Sequence, residues 1–158
     1  MDNVDIATLR RILSQCRTIA VVGLSAQWHR PSYFAASYLQ HKGYRIVPVT
    51  PAYDQVLGEK AYPRLQDIPF KVDMVDVFRK TADVLPVAHE AIAIGARCLW
   101  LQLGVVNEEA AERAEAAGLQ VIQNRCVKIE HARLFGGLGW AGVNTRVISA
   151  KRPQQLPY

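Results

Sequence analysis

The sequence is short of cysteine, of long apolar runs and of clustered basic residues, and each shortage excludes a class of protein. The three cysteines among the 158 residues, Cys16, Cys98 and Cys126, are too few and too scattered for a disulfide framework or a zinc site. No segment holds the roughly 18 consecutive apolar residues of a transmembrane helix, and the N-terminal charges are not ordered as in a secretion signal. We expect a cytoplasmic protein that does not enter a membrane.

The net charge of +5 is distributed in a way that disfavours nucleic acid as a partner. Residues 1–50 hold six Lys and Arg against two acids, and residues 136–158 hold three against none. The basic excess therefore lies at the two ends, with no Lys/Arg run and no aromatic RNA-binding signature. We expect no nucleic-acid binding, although a local anion site remains open.

Motifs for catalysis are also missing. The sequence has no Gly-x-Ser-x-Gly turn of a serine hydrolase, no P-loop and no cluster of metal ligands. A chain of 158 residues fits one domain, without a separate substrate lobe. We therefore expect a ligand-binding module with a small-molecule partner; a homo-oligomer, or a protein partner recruited by the basic tail, stays open.

The sequence does contain a regular alternation of short apolar runs and helical stretches. Runs that are β-branched and apolar on both faces suit parallel strands covered on both sides. The runs occupy residues 18–23, 44–49, 72–78, 98–102 and 119–122, and the helical stretches about 3–15, 31–41, 84–94, 108–117 and 127–135. The pattern predicts an α/β fold, a Rossmann-like, doubly wound parallel sheet of about five strands in the order 3-2-1-4-5.

This domain should span residues 1–135, with residues 136–158 as a Gly-rich, basic C-terminal tail. The connection 51–69 lacks a helical pattern and should be a long loop with one helical turn near residues 65–68. Ligands of such sheets bind beyond the carboxyl ends of the strands, where the strand order reverses. In the order 3-2-1-4-5, that rule selects the loops after Gly23 and after Leu101.

The first of these loops, residues 23–32, is unsuited to NAD. The fingerprint Gly-x-Gly-x-x-Gly would need glycines where Ser25 and Trp28 stand, and no acid ends the second strand to hold the ribose. The loop does offer the hydroxyls of Ser25 and Ser32, helix N-terminal N–H groups and the cation Arg30, which together suit a phosphate. The alternative is that the serines only cap turns and that Arg30 is solvated.

Seven short segments, in order and with matching spacing, carry a resemblance to a known family. They are Val21-Val22-Gly23-Leu24-Ser25, Arg30-Pro31-Ser32, Gly43-Tyr44-Arg45-Ile46-Val47-Pro48-Val49, Leu57-Gly58-Glu59-Lys60 with Tyr62-Pro63, Val75-Asp76-Val77-Phe78-Arg79, Trp100-Leu101-Gln102-Leu103-Gly104 and Asn124-Arg125-Cys126. Together they resemble the small stand-alone CoA-binding proteins of bacteria and archaea, which are similar to the CoA-binding domain of the succinyl-CoA synthetase α subunit. The resemblance covers about residues 5–135 and implies non-catalytic binding of coenzyme A or an acyl-CoA.

The resemblance also implies where the parts of CoA would lie. The loop 23–32 would hold the pyrophosphate, and the strand end 50–51 would lie by the adenosine and its 3′-phosphate. Residues 78–79 would border the adenine and the pantetheine path, and Gln102 and Gly104 would close the far wall. The implied site residues are Gly23, Ser25, Arg30, Ser32, Thr50, Pro51, Phe78, Arg79, Gln102 and Gly104.

One position departs from the family pattern. After the second strand the family commonly has Asn-Pro-Lys or Ser-Pro-Lys, whereas this chain has Thr50-Pro51-Ala52. The lysine would supply charge to the 3′-phosphate, and Ala52 cannot. Either Arg30, Lys60 or Arg79 substitutes for it, or affinity for the 3′-phosphate is weak.

Cys126 supports a competing hypothesis. It precedes the last predicted helix, where the helix dipole can lower the pKa of a thiol, and its loop lies at the same sheet edge as the expected ligand. A reactive thiol there would suit an NAD(P)-linked or acyl-transfer enzyme; the alternative is a small, partly buried apolar residue. We also expect Trp100 in the core, and Glu130 and His131 as a solvated surface pair.

Overall fold

The five apolar runs form the strands of one parallel sheet in the computed structural model, which describes residues 5–135. The expectations for the tail 136–158 lie outside the described residues. The strands are β1 (Thr18–Val22), β2 (Arg45–Val49), β5 (Met74–Val77), β6 (Cys98–Leu101) and β7 (Gln120–Ile122), with a small hairpin of β3 (Gln55–Val56) and β4 (Glu59–Lys60). The helices are α1 (Ile6–Gln15), α2 (Pro31–His41), α3 (Val84–Ala93), α4 (Glu108–Ala116) and α5 (Val127–Phe135). The predicted fold class is confirmed.

Local sequence signals account for where the helices begin. The Asp5 carboxylate accepts the Thr8 N–H at 2.7 Å and caps α1, and the Asn107 side chain accepts the Ala110 N–H at 3.0 Å and caps α4. Each of these side chains satisfies a backbone donor that the first turn of a helix leaves unpaired. Pro31 opens α2 because its missing N–H costs nothing there.

The helices cover both faces of the sheet. α1, α2 and α5 pack on one face, and α3 and α4 pack on the other. Because side chains alternate along a strand, β1 contributes Val21 to the first core and Val22 to the second. The strands are therefore apolar on both faces, as the sequence pattern indicated. None of the described helices is long and apolar enough to cross a membrane.

The strand order differs from the predicted 3-2-1-4-5. The sheet runs β2-β1-β5-β6-β7, so the third long strand lies beside the first and not outside the second. The outer edge of β2 is already occupied, because the Tyr62 N–H donates to the Pro48 carbonyl at 3.0 Å and the Thr50 N–H donates to the Tyr62 carbonyl at 2.8 Å. The reversal therefore lies between β1 and β5, and the ligand rule selects the loop after Val77 in place of the loop after Leu101.

The connection that provides Tyr62 is partly as expected. It runs without an α-helix and contains a 3₁₀ turn at Leu65–Asp67, close to the predicted helical turn. The β3–β4 hairpin was not predicted from the sequence. Its two-residue strands are too short to show an alternating apolar pattern.

The carboxyl ends of β1, β2 and β5 meet at Gly23. Its N–H donates to the Val49 carbonyl, and the Phe78 N–H donates to the Val22 carbonyl, both at 2.9 Å. Gly23 has φ +88°, and a Cβ added there would lie 2.4 Å from the Phe78 carbonyl oxygen. The close approach of the two loops therefore requires glycine at this position.

We predict that Gly23→Ala destabilises the protein more than the matched control Gly118→Ala. Both positions have positive φ, at +88° and +97°, so each alanine loses about 1–2 kcal/mol through backbone strain. Only at Gly23 does the added methyl group meet backbone, since nothing lies within 4 Å of a Cβ at Gly118. Urea unfolding of both variants measures the difference. Equal losses would mean that the Phe78 carbonyl moves aside freely.

Candidate ligand-binding site

A cavity of about 770 Å³ opens at the carboxyl edge of the sheet, on the β1/β5 reversal. It is lined by the loop 23–32, by residues 50–53 after β2, by residues 78–80 after β5, and by parts of the segments after β6 and β7. Nine of the ten residues proposed from the sequence line it: Gly23, Ser25, Arg30, Ser32, Thr50, Pro51, Phe78, Arg79 and Gln102. Gly104 lies between two lining residues, and its N–H donates to the Asn124 side chain at 2.7 Å.

The two serines of the first loop hold its shape. The Ser32 hydroxyl oxygen accepts the Ser25 N–H at 3.0 Å, and the Ser25 hydroxyl oxygen accepts the Gln27 N–H at 3.0 Å. Each hydroxyl keeps its own O–H as a donor. Since Pro31 has no N–H, Ser32 carries the first N–H of helix α2. The serines thus cap turns and, in the same geometry, place donors at a helix N-terminus, where anions are stabilised.

Three cations line the cavity: Arg30, Arg79 and Lys80. None of the described lining residues is acidic, so the cavity favours an anion. Arg30 is exposed, and its Nε donates to the Gln27 side chain at 3.3 Å, which holds the guanidinium at the rim. Sequence reasoning missed Lys80, although its place directly after Arg79 at a strand end was a usable signal.

The position of the missing family lysine lies in the cavity wall. Ala52 lines the cavity, and its N–H donates to the Thr50 hydroxyl at 3.1 Å, so Thr50 holds the turn. Of the three cations considered as substitutes, Arg30 and Arg79 line the cavity. Lys60 is not among the described lining residues, and its ammonium lies 5.3 Å from the centre of the Tyr62 ring.

A buried carboxyl lies beneath the cavity wall. Gln102 lines the cavity with 4% of its surface exposed, and its Nε2 donates to Oδ1 of the fully buried Asp76 at 2.5 Å. Oδ2 of Asp76 has no hydrogen-bond partner among the described residues. Burial raises the pKa of Asp76 to about 7, although the Gln102 hydrogen bond opposes that rise. The family resemblance implied Gln102 as a wall residue, but nothing in the sequence indicated that Asp76 supports it.

The hypothesis of a low pKa at Cys126 is not supported, and the alternative, a small, partly buried residue, is favoured. Cys126 lines the cavity at the start of α5, but burial raises the pKa of its thiol. Hydrogen bonds from the Ile129 and Lys128 N–H groups lower it, and the effect of burial is larger. Cys126 therefore resembles the small, partly buried residue of the alternative reading and not an activated nucleophile.

The expectation for α5 is also corrected. Glu130 and His131 are buried and not solvated. The Glu130 carboxylate accepts from Arg133 at 2.8 Å and pairs with Arg125 at 3.5 Å, while Nδ1 of His131 lies 2.9 Å from the Tyr38 hydroxyl. The Tyr38 contact joins α5 to α2, and the Glu130 contacts hold α5 to itself and to the segment before it. The described residues contain no cluster of His, Cys, Asp and Glu that could hold a metal ion.

The aromatic residues divide between core and surface. Trp100 is fully buried, as expected, and its indole N–H donates to the Arg125 carbonyl at 2.8 Å, which ties β6 to the segment before α5. Trp28 is 70% exposed and its ring packs edge-on to His29. Leu103 and Ile129 line the cavity while 66% and 44% exposed. They give the β6–α5 side of the cavity an apolar lip.

Known proteins share this arrangement of strands and loops. A family model described as a CoA binding domain matches residues 17–132. The uncharacterized protein YneT of Bacillus subtilis is 39% identical over 132 residues, which cover 84% of this chain and 98% of that protein. A solved structure of a hypothetical protein from Pyrococcus horikoshii OT3 has 39% identity and a TM-score of 0.84, and the match covers 86% of this chain and 96% of that one.

A longer enzyme matches in part. The ADP-forming acetate–CoA ligase II of Archaeoglobus fulgidus is 30% identical over 101 residues, which cover 63% of this chain and 15% of the ligase. The family match at residues 17–132 includes every described residue that lines the cavity. The similarity therefore extends over the whole candidate site.

We predict that Asp76→Asn raises the free energy of unfolding relative to wild type, and more so as the pH rises. The pKa of Asp76 is about 7 in the folded protein against a reference value of 3.8. The folded state therefore favours the neutral carboxyl. The contribution of Asp76 to the free energy of unfolding is fully present below about pH 4 and is lost as the pH rises through 7. Asparagine cannot ionise, so the variant should gain on the order of a few kcal/mol over wild type between pH 4 and pH 8. Urea unfolding across that range measures it.

The exposed residue Asp83 provides the control for that experiment. Asp83→Asn removes a carboxylate that is exposed to water in the folded state, so it should not reproduce the pH-dependent gain. Parallel pH profiles for wild type and Asp76→Asn would contradict the buried, neutral carboxyl.

We predict that Cys126 reacts with iodoacetamide more slowly than glutathione at pH 7, because the thiolate is the reactive form and burial raises the pKa of this thiol. Mass spectrometry of the Cys126 peptide, sampled from pH 6 to pH 10, gives the profile. Cys98, which is fully buried, is the internal control and should react more slowly still. Rapid modification of Cys126 below pH 7 would contradict this prediction and support the hypothesis of an enzyme with a reactive thiol.

Proposed function

The chain belongs to the CoA-binding domain family, and from that premise we propose that it binds coenzyme A or an acyl-CoA at the carboxyl edge of its sheet without catalysing a reaction. The observation that carries the proposal is that one cavity has a positively charged part and an apolar part. Arg30, Arg79 and Lys80 supply positive charge, and Leu103 and Ile129 supply an apolar lip. CoA has the same division, with phosphates at one end and a pantetheine arm at the other.

The phosphates would lie against the loop 23–32. The Ser32 N–H at the start of α2 and the Ser25 hydroxyl are donors that suit a pyrophosphate. Arg79 and Lys80 approach the same space from β5, because Gly23 lets the two loops meet. One of the three cations would serve the 3′-phosphate in place of the lysine that Ala52 replaces. The arm would pass Gln102 toward the apolar lip.

Two features support binding without catalysis. The thiol of Cys126 has a raised pKa, which disfavours it as a nucleophile. The region similar to the Archaeoglobus ligase is only 15% of that enzyme's length, so its ligation chemistry would draw on parts outside the match. A nicotinamide cofactor is less well supported, because β2 ends at Val49 and the following Thr50-Pro51 provides no acid for the ribose.

We predict that Arg30→Ala weakens CoA binding by roughly 10- to 100-fold, the effect of losing a hydrogen bond between a charged donor and a phosphate. Isothermal titration calorimetry with CoA measures the dissociation constant, and thermal unfolding shows whether the variant is folded. Arg30 is exposed at the rim, so the melting temperature without ligand should not change. Lys60→Ala is the matched control, because Lys60 is a cation outside the cavity lining, and it should change the affinity less than twofold.

A second ligand identifies the cation that replaces the family lysine. Alanine variants of Arg30, Arg79 and Lys80 are each titrated with CoA and with 3′-dephospho-CoA. The variant that weakens CoA but not dephospho-CoA marks the contact with the 3′-phosphate. The proposed function fails if millimolar CoA and acetyl-CoA give neither heat nor a rise in melting temperature with the wild-type protein.

A further inference from the structure

Asp76 is the most unusual polar group of the described chain. It lies on the central strand β5, level with Val21 on β1 and Trp100 on β6, and none of its surface is exposed. Its Oδ1 accepts from Nε2 of Gln102, and its Oδ2 has no partner among the described residues. A buried carboxyl with an unpaired oxygen costs stability. Such a cost suggests that the carboxyl has a role other than holding the fold.

Among the described residues, Gln102 is the hydrogen-bond partner of the Asp76 side chain, and it connects Asp76 to the ligand cavity. Gln102 is almost fully buried, yet it lines the cavity. An amide side chain has a donor end and an acceptor end. Because Nε2 is engaged by Asp76, Oε1 is the end that is left for a ligand. The protonation state of Asp76 therefore determines whether Gln102 offers a ligand the acceptor end or the donor end of its amide.

The two protonation states of Asp76 constrain Gln102 differently. An ionised carboxylate only accepts hydrogen bonds, so it fixes Gln102 with its NH₂ group inward. A protonated carboxyl can also donate, and it then pairs equally well with the carbonyl end of the amide. Protonation of Asp76 therefore allows the Gln102 amide group to flip, so that either its NH₂ group or its carbonyl oxygen faces Asp76.

The groups around Asp76 leave it as the one that changes charge near neutral pH. Within residues 5–135, the titratable groups found to interact with it are the thiols of Cys98 on β6 and Cys126 at the start of α5. Burial raises the pKa of both thiols, so both stay neutral. Its neighbours across the sheet, Val21 and Trp100, carry no charge. Burial brings the pKa of Asp76 itself to about 7, inside the physiological range.

We propose that Asp76 is a positioning residue of the CoA site, whose carboxylate holds Gln102 with its carbonyl oxygen available to an amide N–H of the pantetheine arm. This inference rests on the proposed function. It makes affinity respond to pH, because protonation of Asp76 frees the Gln102 amide and weakens that contact. The ligand, in turn, favours the ionised form of Asp76 by linkage.

The test compares wild type with Asp76→Asn, which keeps the shape of the side chain but cannot ionise. CoA is titrated by calorimetry into both proteins at pH 5.5, 6.5, 7.5 and 8.5. The ratio of the two dissociation constants cancels the titration of the ligand's own phosphates and of the rim residues. We expect Asp76→Asn to match wild type at pH 5.5 and to bind about 3- to 10-fold more weakly at pH 8.5, the effect of one hydrogen bond. A ratio that does not change with pH overturns the proposal.

Two further variants separate positioning from a general effect. Asp83→Asn removes an exposed carboxylate and should leave the pH profile of wild type unchanged. Gln102→Met removes the amide but keeps the length of the side chain, so adding Asp76→Asn to it should change affinity no further. An additional loss in the double variant would show that Asp76 acts by a route other than Gln102.

A measurement without ligand distinguishes failure of this inference from failure of the proposed function. In ¹⁵N-labelled wild-type protein, the side-chain amide signals of Gln102 should shift with a midpoint near pH 7, and the shift should vanish in Asp76→Asn. If the Gln102 signals shift with the ionisation of Asp76 but CoA does not bind, the proposed function is wrong, while the coupling between Asp76 and Gln102 is supported. If CoA binds and the signals ignore pH, the positioning role is wrong.

Discussion

The close approach of Gly23 to the Phe78 carbonyl is the constraint on which the candidate site depends. A Cβ at Gly23 would lie 2.4 Å from that oxygen, so the loops after β1 and β5 can meet only across a glycine. Their meeting brings the N-terminus of α2 and the serines of the first loop to face Arg79 and Lys80. Neither loop alone combines helix N–H groups with those cations. Backbone packing thus adds Arg79 and Lys80 to the positive charge that Arg30 of the first loop already supplies.

The β2 side of the cavity depends on a second backbone contact. Tyr62 pairs with Pro48 and Thr50 and closes the outer edge of β2. With the outer edge of β2 closed, β5 joins the sheet at the edge of β1 that faces away from β2. The strand reversal therefore lies beside Gly23, which follows β1. The same pairing anchors residues 50–53, which form the third wall. The closed edge of β2 and the third wall of the cavity therefore depend on the same short segment.

The sequence predicted the elements well and their arrangement less well, for a physical reason. Apolar runs identify buried strands whichever neighbours they take, so the strands were found while the order 3-2-1-4-5 was wrong. The order depends on the backbone groups of Tyr62, which carry no sequence signature. Nine proposed site residues line one cavity because loops at one sheet edge converge in either order. The two interpretations of Cys126 could not be separated from its sequence position, because burial, which outweighs the helix N-terminus, is visible only in the structure.

The cavity separates two kinds of electrostatics. Arg30, Arg79 and Lys80 are exposed at its rim, where water and salt screen their attraction for an anion. Asp76 and Gln102 lie in the interior, where a charge is poorly solvated and a single proton alters the hydrogen bonds that are allowed. Contacts at the rim should therefore weaken with ionic strength, and the contact at Gln102 should respond to pH and little to salt. The affinity for a ligand that contacts both regions would therefore depend on salt through the exposed cations and on pH through the buried Asp76–Gln102 pair. The two dependences can be measured separately, because the cations are open to solvent and the buried pair is not.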